Sequence, residues 1–125
     1  MRPIRFRGYS TVVGRWFYGD LCQCPNGVKV IVDDDANAIE VDPDSVGQMT
    51  GETDVKGRPI YEGDVLREWH YGKRFPVVPV DCGWAVKYKN VDGTYTYMEI
   101  IDVLLAYDVE NVGPAYGSNR EKAGS

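Results

Sequence analysis

Between Arg67 and Phe75 the chain interleaves cations with aromatics: Arg67, Trp69, His70, Tyr71, Lys73, Arg74 and Phe75. Aromatic faces stack bases and cations track phosphates. The chemistry on offer is therefore recognition of a nucleic-acid strand, with Arg67, Trp69, Tyr71, Lys73 and Arg74 as the contacts. Lys87, Tyr88, Lys89, Tyr95 and Tyr97 would join that surface if their segments share a sheet with it. The same residue types also fill cores and subunit interfaces, where Tyr, Trp and Arg are enriched. That use takes precedence. The first expectation is a self-assembling interaction module, a homo-oligomer, and the alternative is a nucleic-acid-binding module.

Other reactive residues offer less. Cys22, Cys24, Cys82 and His70 supply four zinc-ligating side chains, but structural zinc uses two closely spaced pairs and the second pair is missing. Cys82 with His70 would suit nucleophilic catalysis, yet nothing in the sequence orients one toward the other. Asp33-Asp34-Asp35-Ala36-Asn37 presents oxygens to a cation without the glycine and distal glutamate of a calcium loop, so it reads as a solvated hairpin tip. Glu62 and Asp64 flank Gly63 and suit bonds to backbone amides better than acid–base work. No phosphate-cradling glycine loop or triad order is present. No catalytic residue, metal ligand or cofactor is assigned, and a non-enzymatic protein is expected.

The 125 residues suffice for one domain or two small subdomains. The net charge of −5 is uneven: residues 1–18 carry +4, residues 19–54 carry −8 and the remainder −1. An acidic middle argues against a protein that simply wraps nucleic acid. It also allows a basic and an acidic segment to meet between subunits. No apolar run approaches the length that spans a bilayer, and the start of the chain is charged rather than apolar. With three cysteines, an odd number, the expectation is free thiols and a cytoplasmic setting, with no membrane partner.

Helical periodicity is nearly absent, whereas short alternating or β-branched runs recur with turn signals between them. Pro3–Arg7 alternates, with Ile4 and Phe6 to one side and Arg5 and Arg7 to the other. Arg15–Tyr18 reads as a strand turned at Gly19-Asp20. Asn26-Gly27 signals a hairpin into Val28–Val32, with Ala38–Val41 returning. Val65–Trp69, an edge-like run carrying Pro76 and Pro79, and a hairpin about Asp92-Gly93 follow. Asp102 suits the start of a short helical turn, although a last strand is the alternative. The fold class is all-β with few or no helices: an N-terminal β meander, then a small SH3-like β-barrel. The divisions are residues 1–53, residues 54–112 and a flexible tail at 113–125.

The organising stretch is Met49–Trp69. Asp54 opens one turn that Gly57 closes, Glu62-Gly63-Asp64 makes a second, and Ile60-Tyr61 sits between them as an apolar plug. Gly51, Asp54, Gly57, Ile60, Tyr61, Glu62, Gly63 and Asp64, with Thr50 and Val65, resemble the core signature of the YopX family, small proteins encoded in bacteriophage and prophage genomes. Ile4-Arg5-Phe6-Arg7 is similar to that family's opening pattern. The resemblance implies a genomic context and a β fold, and it carries no biochemical activity with it.

Overall fold

A computed structural model describes residues 4–81 and 83–116. The chain divides into two units, Met1–Met49 and Thr50–Ser125. Among the described residues there are eleven strands and one α-helix, so the all-β expectation holds. No helix among them is long and apolar enough to cross a membrane.

In the first unit, β1 (Phe6–Ser10), β2 (Arg15–Gln23), β3 (Lys29–Val32) and β4 (Ala38–Val41) form the expected antiparallel meander. A 3₁₀ turn at Pro43–Ser45 leads into β5 (Gly47–Thr53), which returns beside β1. That return is tied down by polar contacts. Asp42 N–H donates to Tyr9 O at 2.8 Å, and Tyr9 N–H donates to Ser45 Oγ at 2.8 Å. Phe17, Ile31 and Val41 form the core, flanked by Phe6, Leu21, Ile39 and Val46.

Two readings of this region need correction. Gly19-Asp20 does not turn the chain, because β2 runs through it to Gln23. A Cβ on Gly19 would lie 2.1 Å from Val32 O, so this glycine permits close approach of β3 rather than a bend. The first strand also begins later than expected. Ile4 is 65% exposed, whereas Arg7 is buried, with its guanidinium 4.8 Å from the centre of the Trp16 ring. A cation–π contact lets a charged residue occupy a position that alternation alone gives to solvent.

In the second unit, β5 continues to β6 (Pro59–Tyr61), with Thr50 Oγ1 donating to Ile60 O at 2.8 Å. The main sheet has the order β10-β9-β8-β7-β11, built from β7 (Asp64–Glu68), β8 (Arg74–Val80), β9 (Gly83–Lys89), β10 (Tyr95–Glu99) and β11 (Val109–Pro114). It does not close: β10 and β11 are its edges, so the sheet is open and the expected SH3-like closure is not seen in its ladders. The helix α1 (Ile100–Ala106) follows β10 and places Ile100 and Val103 against Ile60, Leu66, Phe75, Val77, Val86 and Val109. Full burial of such side chains contributes about 1.5–3 kcal/mol each.

β8 is interior, not the edge its prolines suggest. Arg74–Pro76 pairs with β7 and Val77–Val80 pairs with β9, so Pro76 and Pro79 are each paired on one side only. Neither is asked for the donor that proline lacks. Gly113 and Pro114, expected in the tail, lie in β11. Residues 117–125 of that tail lie outside the described residues.

Candidate functional site: a cationic sheet face

Alternation gives the five-stranded sheet one face toward α1 and one away from it. Leu66, Phe75, Val77 and Val86 take the inner face. Their neighbours in sequence take the outer one, and register brings those together. Arg67 is directly opposite Arg74, Lys89 is opposite Tyr95, and Lys87 is opposite Tyr97. A depression of about 750 Å³ lies over this face, lined by Arg67, Arg74, Lys87, Lys89 and Tyr95 around Val65 and Pro76. Among the described residues, four cations line it and no carboxylate does.

Like charges directly opposite each other weaken a sheet. Arg67 opposite Arg74 is therefore an arrangement that folding does not favour. Arg67 is partly relieved by its ion pair with Glu110, its cross-strand neighbour on β11, and Lys56 Nζ reaches the other oxygen of that carboxylate at 3.1 Å. Hydrogen bonds from Arg67 and then Lys56 hold the Glu110 carboxyl below its ordinary range. Lys87 Nζ lies 4.2 Å from the centre of the Tyr95 ring. The side chains of Arg74 and Lys89 have no hydrogen-bond or ion-pair partner among the described residues.

The other sequence-chosen contacts fall elsewhere. Lys73 belongs to the opposite face, with Nζ 3.7 Å from the centre of the Tyr88 ring, beside Phe75. Trp69 and Tyr71 belong to the turn between β7 and β8 and do not line the depression, although Tyr71 is 91% exposed. That turn is organised by Glu68, whose carboxylate accepts from His70 N–H at 3.0 Å and Tyr71 N–H at 2.6 Å. Burial pushes the Glu68 carboxyl up, but these two donors outweigh it and leave it below the ordinary range. The sheet thus unites Arg67 and Arg74 with Lys87, Lys89, Tyr95 and Tyr97, and separates them from Trp69, Tyr71 and Lys73.

The signature residues form a scaffold. Asp54, only 5% exposed, accepts from Lys56 and Arg58 N–H through Oδ1 and from Asn111 N–H through Oδ2, at 2.9, 2.8 and 2.7 Å. Gly57 N–H closes that turn on Asp54 O at a φ of +80°. Gly63, in the turn before β7, and Gly51, within β5, also have positive φ, which glycine adopts without strain. Asp64 is fully buried, and its Oδ2 accepts from Tyr61 N–H at 2.8 Å and Asn111 Nδ2 at 2.7 Å. Asp64 therefore reaches back along the chain, not two residues forward. Glu62 accepts the Trp84 indole N–H at 3.2 Å. Ile60 and Tyr61 are the buried plug that the sequence suggests. Asn111 links both turns to β11, a role that the sequence reading did not give it.

Among the described residues, no three His, Cys, Asp or Glu side chains converge to hold a metal ion. Cys82 lies outside those residues, and with it the zinc and Cys82–His70 readings. Cys22 and Cys24 are free thiols. Asp33 is engaged within its own tip, accepting from Asp35 and Asn37 N–H at 3.0 and 2.9 Å.

Fold and site together define a mostly-β protein of two units, in which buried Asp54 and Asp64, joined by Asn111, support an open sheet with a cationic outer face. The chain matches the YopX protein family over residues 5–116 and belongs to that family. No curated protein matches the chain.

Proposed function

We propose that the second unit binds single-stranded nucleic acid, without catalysis, on the outer face of its five-stranded sheet. The observation that carries this reading is the gathering of Arg67, Arg74, Lys87 and Lys89 around one depression on a sheet face, with only Arg67 ion-paired among the described residues, to Glu110, in a chain whose net charge is −5. Cations gathered against that overall charge, two of them directly opposite each other, are retained at a cost to folding and suit a polyanionic ligand.

Tyr95 and Tyr97 argue for an unpaired strand. Both are more than half exposed and stand across the ladder from Lys89 and Lys87. Bases freed from pairing stack on such rings while phosphates meet the neighbouring cations. A duplex offers phosphates but keeps its bases from the tyrosines. The reading includes a phage or prophage origin and a cytoplasmic setting, where unpaired strands arise during replication and transcription. It is tested by fluorescence anisotropy with labelled single-stranded and duplex oligonucleotides at low and moderate salt. Saturable binding that favours single strands and weakens with salt supports it; equal or absent binding contradicts it.

A further inference from the structure

The two edges of the five-stranded sheet are finished differently. β11 is protected. Its register shifts between Asn111 and Pro114, Val109 O accepts from Val55 N–H, and Asn111 N–H donates to Asp54. A bulge, a proline and a covering segment are the usual protections of an exposed edge. Among the described residues, β10 has none of them. Its sequence is Tyr-Thr-Tyr-Met-Glu, it pairs with β9 along its whole length, and no strand lies on its other side among the described residues.

The direction of its unused backbone groups follows from the hairpin. Asn90 N–H donates to Thr94 O at 2.7 Å, which makes Asn90–Thr94 a hydrogen-bonded pair. Antiparallel ladders alternate, so Lys89–Tyr95, Lys87–Tyr97 and Ala85–Glu99 are non-hydrogen-bonded pairs. The N–H groups of Tyr95, Tyr97 and Glu99 therefore point away from β9, at the free edge.

We infer that β10 pairs antiparallel with β10 of a second copy, and that the two outer faces join into one nucleic-acid site. The inference rests on the function proposed above. Among the registers that the outward groups allow, the one that pairs the whole strand is centred on Tyr97, with Tyr97 opposite its own copy and Tyr95 opposite the partner's Glu99. That register opposes no like charges, since Glu99 is the one charge in the strand. It also sets the partner's Glu99 on the row that runs from Lys89 through Tyr95, so the contact is complementary in charge. The two-fold axis then stands perpendicular to the sheet, and both outer faces stay on the same side. Lys87, Lys89, Tyr95 and Tyr97 of each copy flank the axis. Ten strands at ~4.8 Å spacing make a track about 45 Å across. Each chain alone holds half of it.

The test sets two substitutions against each other by sedimentation equilibrium, with circular dichroism confirming the fold. Tyr97→Lys opposes two lysines at the axis and is expected to raise the dimer dissociation constant by about tenfold or more. Tyr95→Arg adds the same charge opposite the partner's Glu99 and is expected to leave the dimer intact or tighten it. Wild-type chain with twice the 14.0 kDa monomer mass supports the inference. A wild-type monomer at 100-micromolar concentrations (roughly, the range for weak contacts), or equal effects of the two substitutions, overturns it. Oligonucleotide binding is read on the same samples. Binding by a monomer removes the dimer and leaves the function standing, whereas a β10 dimer that binds no oligonucleotide retains the interface and removes the joint site.

Discussion

Asp54 and Asp64 are carboxylates held away from water, and Asn111 is the residue that makes both tenable. Its backbone N–H serves Asp54, its amide serves Asp64 and Pro59 O, and its own Oδ1 accepts from Gly113 N–H. Unmet buried polar groups cost about 1–3 kcal/mol each. Asn111→Ala is therefore expected to lower stability by about 2–3 kcal/mol in urea unfolding. Asn111→Asp places a third carboxylate where the amide donated to Asp64. At neutral pH it is expected to be less stable than Asn111→Ala. Equal stabilities of the two variants at neutral pH would show that Asn111 does not act as a donor there. The turn half of this site was legible because Asp54, Lys56, Gly57 and Arg58 are local. Asn111 was not, because its partners lie 57 and 47 residues away in the chain.

β11 and β2 show what single side chains do for whole elements. Glu110 joins β11 to β7 through Arg67, and its folded pKa lies below the ordinary 4.5. A carboxyl whose pKa falls on folding stabilises the fold above its unfolded value and loses that contribution as pH drops through the folded one. Glu110→Gln is thus expected to melt at a lower temperature than wild type at neutral pH. The gap is expected to close in acid, below the ordinary glutamate range, and to narrow with salt. A gap independent of pH would assign the loss to packing. On β2, Gly19→Ala drives a Cβ into Val32 O, which cannot rotate aside. It is expected to cost about 2–3 kcal/mol, and an unchanged melting temperature would contradict the close approach. Such cases mark the limit of sequence patterns. A glycine needed for close approach and a glycine needed for a turn look alike in one dimension. So do a proline on an edge strand and a proline in a strand paired on alternate sides. The strands of the Asn26-Gly27 and Asp92-Gly93 hairpins were legible because turn chemistry and β-branched or aromatic runs are local signals. β11 carries no such signal, and its partner β7 precedes it by more than forty residues.

At the scale of the molecule, charge is sorted rather than balanced. The acidic surplus lies in residues 19–54, whereas Arg67, Arg74, Lys87 and Lys89 share one sheet face of the second unit. Sequence alone gathered Arg67–Phe75 into a single surface, because neighbours in a list look like neighbours in space. Strand alternation instead sends Arg74 to the outer face and Lys73 to the inner one. That separation gives the central claim its sharpest test, the salt dependence of single-strand binding in paired charge reversals. Contact with four phosphates gives a slope of log affinity on log salt of roughly −3 for a single strand. Arg74→Glu with Lys89→Glu is expected to weaken binding and flatten the slope by about 1.4, whereas Lys73→Glu is expected to leave the slope unchanged. If Lys73→Glu flattens the slope as much as the outer-face pair, or if the pair changes nothing, the strand does not lie on this face.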